Sequence, residues 1–184
     1  MEMSYLGGSL LVASPYLADR NFFRSVVLVI SHDDDHAFGL LLNRPGYETL
    51  TEHWETRTGN RHVRREMIRT GGPLDGPLMV LHQLDEFSDT EIVPDVHLAT
   101  IRETVERVIT KSVEPILPAV GFSGWGAGQL EVELEMGGWM TLRASRDIVF
   151  ADASEMWNIA ARRVSDHILT GVDLRHVPQD PTWN

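Results

Sequence analysis

Eleven residues, Gly121-Phe122-Ser123-Gly124-Trp125-Gly126-Ala127-Gly128-Gln129-Leu130-Glu131, constrain this chain more than any other stretch. A cluster of glycines marks tight or unusual backbone geometry, and Trp125 in its middle requires that backbone to be packed. The segment approaches two catalytic or cofactor motifs and completes neither. Gly121-Phe122-Ser123-Gly124-Trp125 is one residue from the nucleophile elbow G-x-S-x-G, but a tryptophan stands where that elbow needs a small residue. Ser123 is therefore read as a serine that satisfies a turn. Gly124-x-Gly126-x-Gly128 does not have the spacing of a dinucleotide loop. Its amides can still face an anion if a helix opens at Gln129.

At 184 residues the chain is read as one domain spanning 1–184. Such a length buries roughly 70% of the unfolded surface, so folding requires neither disulfide nor metal. There is no cysteine, which excludes disulfides, thiolate metal sites and a cysteine nucleophile. No segment approaches the ~20 apolar residues of a membrane span. Met1-Glu2-Met3-Ser4-Tyr5 lacks the basic and apolar regions of a signal peptide, and the expectation is a soluble cytoplasmic protein. Sixteen basic and 27 acidic residues give a net charge of −11, which repels phosphate backbones and anionic membranes. The densest basic run, Arg57, Arg61, His62, Arg64, Arg65 and Arg69, is read as solvated surface in preference to an anion site.

Apolar runs predict strands at Leu10–Ala13, Ser25–Ser31 and Gly39–Asn43, the second long enough to be buried on both faces. The polar turn His32-Asp33-Asp34-Asp35-His36 joins the last two as a hairpin. Further strands are predicted at Pro77–His82, Ala119–Phe122, Trp139–Leu142 and Ile148–Phe150. Capping boxes announce three helices: Thr49 with Glu52, Thr100 with Glu103, and Asp152 with Glu155. The second carries an apolar stripe of Ile101, Val105, Val108 and Ile109, the third one of Trp157, Ala160, Ala161, Val164 and Ile168. Gln129–Met136 fits both a helix and an alternating strand; the glycines before it favour a helix. The order is not a regular βαβα alternation. It predicts an α+β fold: a compact domain with a mixed or antiparallel sheet flanked by about three to four helices.

Individual polar groups invite chemistry. His32 and His36 have metal-ligand spacing on a helix, but three aspartates between two strands predict a solvated hairpin tip. Glu131, Glu133 and Glu135 are read as a solvated acidic face in preference to a carboxylate pair. His82 ends an apolar strand, where it either lines a cleft or caps the sheet through a hydrogen bond. No metal, cofactor or complete catalytic set is expected.

Taken together these motifs resemble the YqgE/AlgH family of bacterial proteins. The resemblance runs from Leu6-Gly7-Gly8-Ser9-Leu10 through Asp19, Phe22-Phe23-Arg24-Ser25 and Leu42-Asn43-Arg44-Pro45, then Gly71-Gly72-Pro73 and Leu81-His82. It continues through the glycine-tryptophan segment to Trp139 and Trp157. Two departures stand out: Phe122-Ser123 replaces an aromatic-alanine pair, and Ala127 replaces a proline. The resemblance implies a compact α+β domain around a mixed sheet and brings no assigned reaction. One branch has been named a transcriptional regulator, yet the family lacks an evident DNA-binding motif, and this chain is acidic.

Three functions follow in order of expectation. The first is a non-catalytic module that binds a small molecule or a protein, with Arg24, Ser25, Asn43, Arg44, His82, Trp125 and Gln129 as candidate ligand-binding residues. The second is a hydrolase or transferase in which Arg24 and Arg44 hold a small anion and His82 is the general base. The third is DNA binding. The alternative for Arg24 and Arg44 is structural: fastening strand ends through carbonyls or acids such as Asp19.

Overall fold

The structure, a computed structural model, describes residues 5–17, 19–59, 64–111 and 114–171. Arg61 and His62 of the basic run lie outside the described residues. The apolar runs near the N-terminus pair in sequence order. Strands β1 (Ser9–Ala13), β2 (Val26–His32) and β3 (His36–Leu41) form an antiparallel meander. Their alternation divides the side chains between two cores. Leu10, Val12, Val26, Leu28 and Leu40 face one, and Leu11, Ala13, Val27, Val29 and Leu41 the other. Val26 to Val29 have no exposed surface, as expected of a strand covered on both sides. Full burial of one such side chain contributes about 1.5–3 kcal/mol.

The chain then forms β4 (Pro45–Thr49), α1 (Leu50–Thr58), β5 (Met67–Thr70), β6 (Leu74–His82), β7 (Thr90–Val93) and β8 (Val96–Ala99). After α2 (Arg102–Thr110) comes the ten-residue β9 (Leu117–Gly126). The remainder is α3 (Gln129–Glu135), β10 (Trp139–Arg143), α4 (Arg146–Val149) and α5 (Ala153–Gly171). Strand β9 ties the sheet together. Its C-terminal half pairs with β3, from Gly39↔Ser123 to His36↔Gly126, while β6 lies along its other edge. Its N-terminal half also pairs in parallel with β5 at Arg69↔Ala119 and Thr70↔Val120. Among the described residues the result is one ten-stranded sheet, antiparallel apart from that pair. The α+β class is as expected, but the sheet is larger than a sheet flanked by about three to four helices implies, and the described residues form five α-helices.

Several local expectations are corrected. The glycines of β9 do not end the strand at Phe122: it continues through Trp125 to Gly126 because β3 supplies partners along that half. Ile148–Phe150 is not a strand but part of the helical turn α4, where Ser145 carbonyl accepts from both Ile148 and Val149 N–H groups. Three apolar residues are too few for periodicity to separate strand from helix. The capping box at Thr49 and Glu52 forms in full. At α2 the expected box does not form. Asp89 instead accepts from the Thr100 and Ile101 N–H groups, at 2.7 and 2.8 Å, and from the Thr104 hydroxyl. A carboxylate from the bend before β7 thus fills the role Thr100 cannot, and Ile101 stands exposed at the cap. At α5 Asp152 caps through Ser154 N–H. Ile168 is exposed there, and Met156 joins Ala160 and Val164 in the core.

Candidate functional site

The glycine-tryptophan segment ends as a corner. Gly128, with φ near 70°, turns the chain from β9 into α3. Leu130 pins the new helix to the core. The corner is closed by side chains. Gly126 N–H donates to Gln129 Oε1 (3.2 Å), and Gln129 Nε2 donates to Glu133 Oε1 (3.0 Å). Glu133 Oε2 accepts from two indoles, Trp125 Nε1 at 2.9 Å and Trp139 Nε1 at 2.8 Å. One carboxylate thus anchors tryptophans from β9 and β10. Phe22 completes the aromatic set, stacked 6.3 Å from Trp125 and edge-on 5.3 Å from Trp139.

In front of this wall lies a cleft of about 440 Å³, lined by Tyr16, Asp19, Phe22, Trp125, Gln129 and Glu133, with Pro73 and Met136 at its sides. Its volume is that of a small-ligand site. Tyr16 and Met136 are 91% and 82% exposed and form an apolar rim. The charged residues lining the cleft, Asp19 and Glu133, are both acidic.

Trp125 and Gln129 therefore sit at the cleft as lining residues. Four other candidates converge behind it. Ser25 is fully buried, and its Oγ donates to the Phe22 carbonyl at 2.7 Å. Asn43 accepts from Val26 N–H at 2.9 Å and donates to the Arg24 carbonyl at 2.8 Å. Arg44 Nη2 donates to the carbonyls of Asn21 and Phe23. The Arg24 guanidinium lies over the rings of Phe23 and Trp157, at 5.6 and 5.2 Å. All four hold the 20–25 loop, and that loop carries Phe22 into the cleft. The alternative of fastening through carbonyls is what Arg44 does.

His82 is not brought to this group. It is fully buried at the end of β6, opposite His97 in register, with the two rings stacked 5.9 Å apart. Leu84 N–H donates to its Nδ1 at 3.2 Å, and among the described residues its Nε2 has no hydrogen-bond partner. Burial pushes its pKa down, with His97 adding to the effect. Of the two sequence readings, the strand-end hydrogen bond is formed, and His82 lines none of the clefts described here.

The acidic face is also corrected. Glu131 and Glu133 point inward because α3 lies against the sheet. Glu131 Oε1 is 2.6 Å from His32 Nε2, whose Nδ1 accepts from Leu6 N–H. This leaves His32 bridging two segments while His36 pairs with Asp33 at the exposed tip. Ser123 is fully buried and donates to the Gly71 carbonyl, so its hydroxyl is turned inside. Sequence reasoning missed Tyr16 and the role of Glu133. The signal available was the i, i+4 spacing of Gln129 and Glu133 on one helix, with tryptophans on either side.

A ten-stranded α+β sheet with a glycine-tryptophan corner closed by a glutamate defines the class of this domain. Residues 10–168 match the AlgH-like family (DUF179), and the chain belongs to that family. It is 37% identical to the UPF0301 protein XAC2918 of Xanthomonas axonopodis pv. citri (strain 306), across 92% of this chain and 91% of that protein. It is 35% identical to the UPF0301 protein R00917 of Rhizobium meliloti (strain 1021), across 86% of each. The solution structure of the AlgH protein from Pseudomonas aeruginosa superposes with a TM-score of 0.75 at 27% identity, covering 94% of this chain and 96% of that one. Protein DIP2367 from Corynebacterium diphtheriae shares the fold, with a TM-score of 0.70 over 89% of this chain and 90% of that one.

Proposed function

We propose that this protein is a non-catalytic binding module, regulatory in role and cytoplasmic, whose ligand is an apolar segment of a protein partner carrying a basic residue. The observation that carries this reading is the use of Glu133. Both of its oxygens are engaged in holding Trp125, Trp139 and Gln129 in place. Gln129 and Glu133 thus serve to build a rigid aromatic wall. Tyr16, Phe22 and Trp125 line the cleft with aromatic rings, and Asp19 and Glu133 give it a negative field. That combination favours a cation among apolar groups.

The enzymatic reading needs Arg24 and Arg44 to grip an anion and His82 to act as base. Both guanidinium groups are engaged within the 20–25 loop region and His82 is buried, so support falls to the binding reading. DNA recognition ranks third, since 27 acids against 16 bases oppose a phosphate backbone. Among the described residues no helix is long and apolar enough to cross a membrane.

Calorimetric titration with short amidated peptides tests the proposal. Peptides pairing lysine with phenylalanine are expected to bind, and Tyr16→Ala or Phe22→Ala to weaken them. Equal or better binding of glutamate–phenylalanine peptides, or substrate turnover abolished by Arg44→Ala, contradicts it.

A further inference from the structure

The basic run left over from the sequence points to a second site. The fold divides that run. Arg64 is buried and paired with Glu66 at 2.7 Å, and Arg65 is exposed. Arg57 on α1 and Arg69 on β5, twelve positions apart in sequence, line the same groove. That groove consists of two hollows, of about 340 and 570 Å³, which share Arg57, Gly76 and Val120. Arg102, at the first turn of α2, lines the smaller one. None of the residues lining the groove lines the Trp125 cleft.

We propose that this groove binds a small anion bearing phosphate or carboxylate, with Arg69 and Arg102 as the principal contacts, Arg57 beside them, and His53 as a directed hydrogen-bond partner. The charges of the groove lead there. Its acids are Glu48 and Asp75. Glu48 is already engaged: its Oε1 lies 2.6 Å from His53 Nδ1 and 3.9 Å from Arg57 Nη1. Arg57 Nη1 is also 3.0 Å from His53 Nδ1, so these three side chains form one cluster. Arg69 and Arg102 make no side-chain hydrogen bond or ion pair among the described residues. Arg69 is half-buried, and burial pushes its guanidinium below the usual value, with the charge of Asp152 acting the other way. A guanidinium partly removed from water, with no carboxylate in ion-pair contact among the described residues, is unfavourable, and an arriving anion relieves it. The fork of donors on arginine matches both carboxylate and phosphate.

His53 adds direction. It is buried, lines the groove and has Nδ1 held against Glu48. Nε2 makes no hydrogen bond among the described residues, so it is the nitrogen left for a ligand oxygen. Gly46, Gly72, Gly76 and Gly121 all line the larger hollow, and its volume of about 570 Å³ admits a ligand broader than a bare ion.

The test uses the full chain at low salt, titrated separately with inorganic phosphate, adenosine monophosphate and citrate while amide and arginine side-chain resonances are followed. A saturable shift at Arg69, Arg102 and His53 with any one of them is expected, and which anion binds more tightly separates phosphate from carboxylate chemistry. Loss of one charge-assisted contact corresponds to about 1.5–3 kcal/mol, so Arg102→Gln is expected to weaken binding roughly tenfold or more, and Arg69→Gln to do the same. Arg102 is an exposed first-turn residue without internal bonds, so that variant keeps the fold intact and its unfolding temperature serves as the control. Absence of shifts at these residues with all three anions at millimolar concentration overturns the proposal, as does binding to the folded Arg102→Gln and Arg69→Gln variants at wild-type affinity. Either result leaves the Trp125 cleft untouched.

Discussion

Trp125 and Glu133 are joined by a 2.9 Å hydrogen bond from the indole Nε1 to Oε2, which closes the corner between β9 and α3. The same oxygen takes the indole of Trp139. The carboxylate is therefore the keystone of the aromatic wall. Removing it leaves two indole donors without their acceptor. Glu133→Ala is expected to lower unfolding free energy by about 1–3 kcal/mol, measured by urea denaturation. An unchanged midpoint would mean that water replaces the carboxylate fully.

A second prediction concerns the brace behind the cleft. Asn43 satisfies Val26 N–H and the Arg24 carbonyl together, and Arg24 sits in the left-handed region at φ near 51°. Asn43→Ala is expected to cost about 1–3 kcal/mol, as the buried Val26 N–H loses its acceptor and the exposed Arg24 carbonyl its donor. Amide exchange should quicken at residues 21–26. Protection in that loop equal to wild type contradicts the bracing role.

Two glycines with similar left-handed φ separate strain from crowding. Gly128→Ala meets nothing within 4 Å, so its cost is only the backbone term of about 1–2 kcal/mol. Gly121→Ala places a Cβ 2.6 Å from the Leu74 carbonyl oxygen and is expected to be clearly worse. Thermal unfolding of the two variants decides the matter. Equal losses contradict the tight β6–β9 contact.

Buried His82 sets a pH dependence. The folded pKa of His82 lies below the ordinary 6.5 because of burial and His97, so the unfolded chain takes up its proton first. Stability is then flat above that value and falls as pH drops below it, until the folded histidine protonates as well. Asp89 acts in a lower window. Burial pushes its carboxyl up, but the hydrogen bonds from Ile101, Thr100 and Thr104 outweigh this and hold it below 3.8. Its contribution is present above that range and lost beneath it. Denaturation midpoints measured between pH 7.5 and 5 are expected to decline, and His82→Leu to flatten the decline. An unchanged slope in that variant assigns the effect elsewhere.

How far the sequence reaches depends on the length of each signal. The β2–β3 hairpin was legible because Val26 to Ile30 is a long β-branched run followed by three aspartates. Helix α3 followed from the glycines before Gln129. Strands β4, β5, β7 and β8 are too short to be legible: each has four or five residues, β4, β5 and β7 carry a glutamate or an arginine, and all acquire their partners only from tertiary pairing. The cap of α2 was misplaced for a related reason: Asp89 lies eleven positions before Thr100, beyond any local motif. At the site, Trp125 and Gln129 were legible as a corner. The convergence of Phe22, Tyr16 and Glu133 depends on three separate elements meeting. Arg24, Ser25, Asn43 and Arg44 were legible as a group, while their attachment to the 20–25 loop required the fold.

The binding account is tested most directly by the indole N–H resonances of Trp125 and Trp139 in a nitrogen-15 spectrum, recorded during titration with a lysine–phenylalanine peptide amide. The account predicts a saturable shift of both indoles, with Trp54, which lies in a different core, unmoved. No movement of Trp125 and Trp139 at saturating peptide, or equal movement of Trp54, contradicts it.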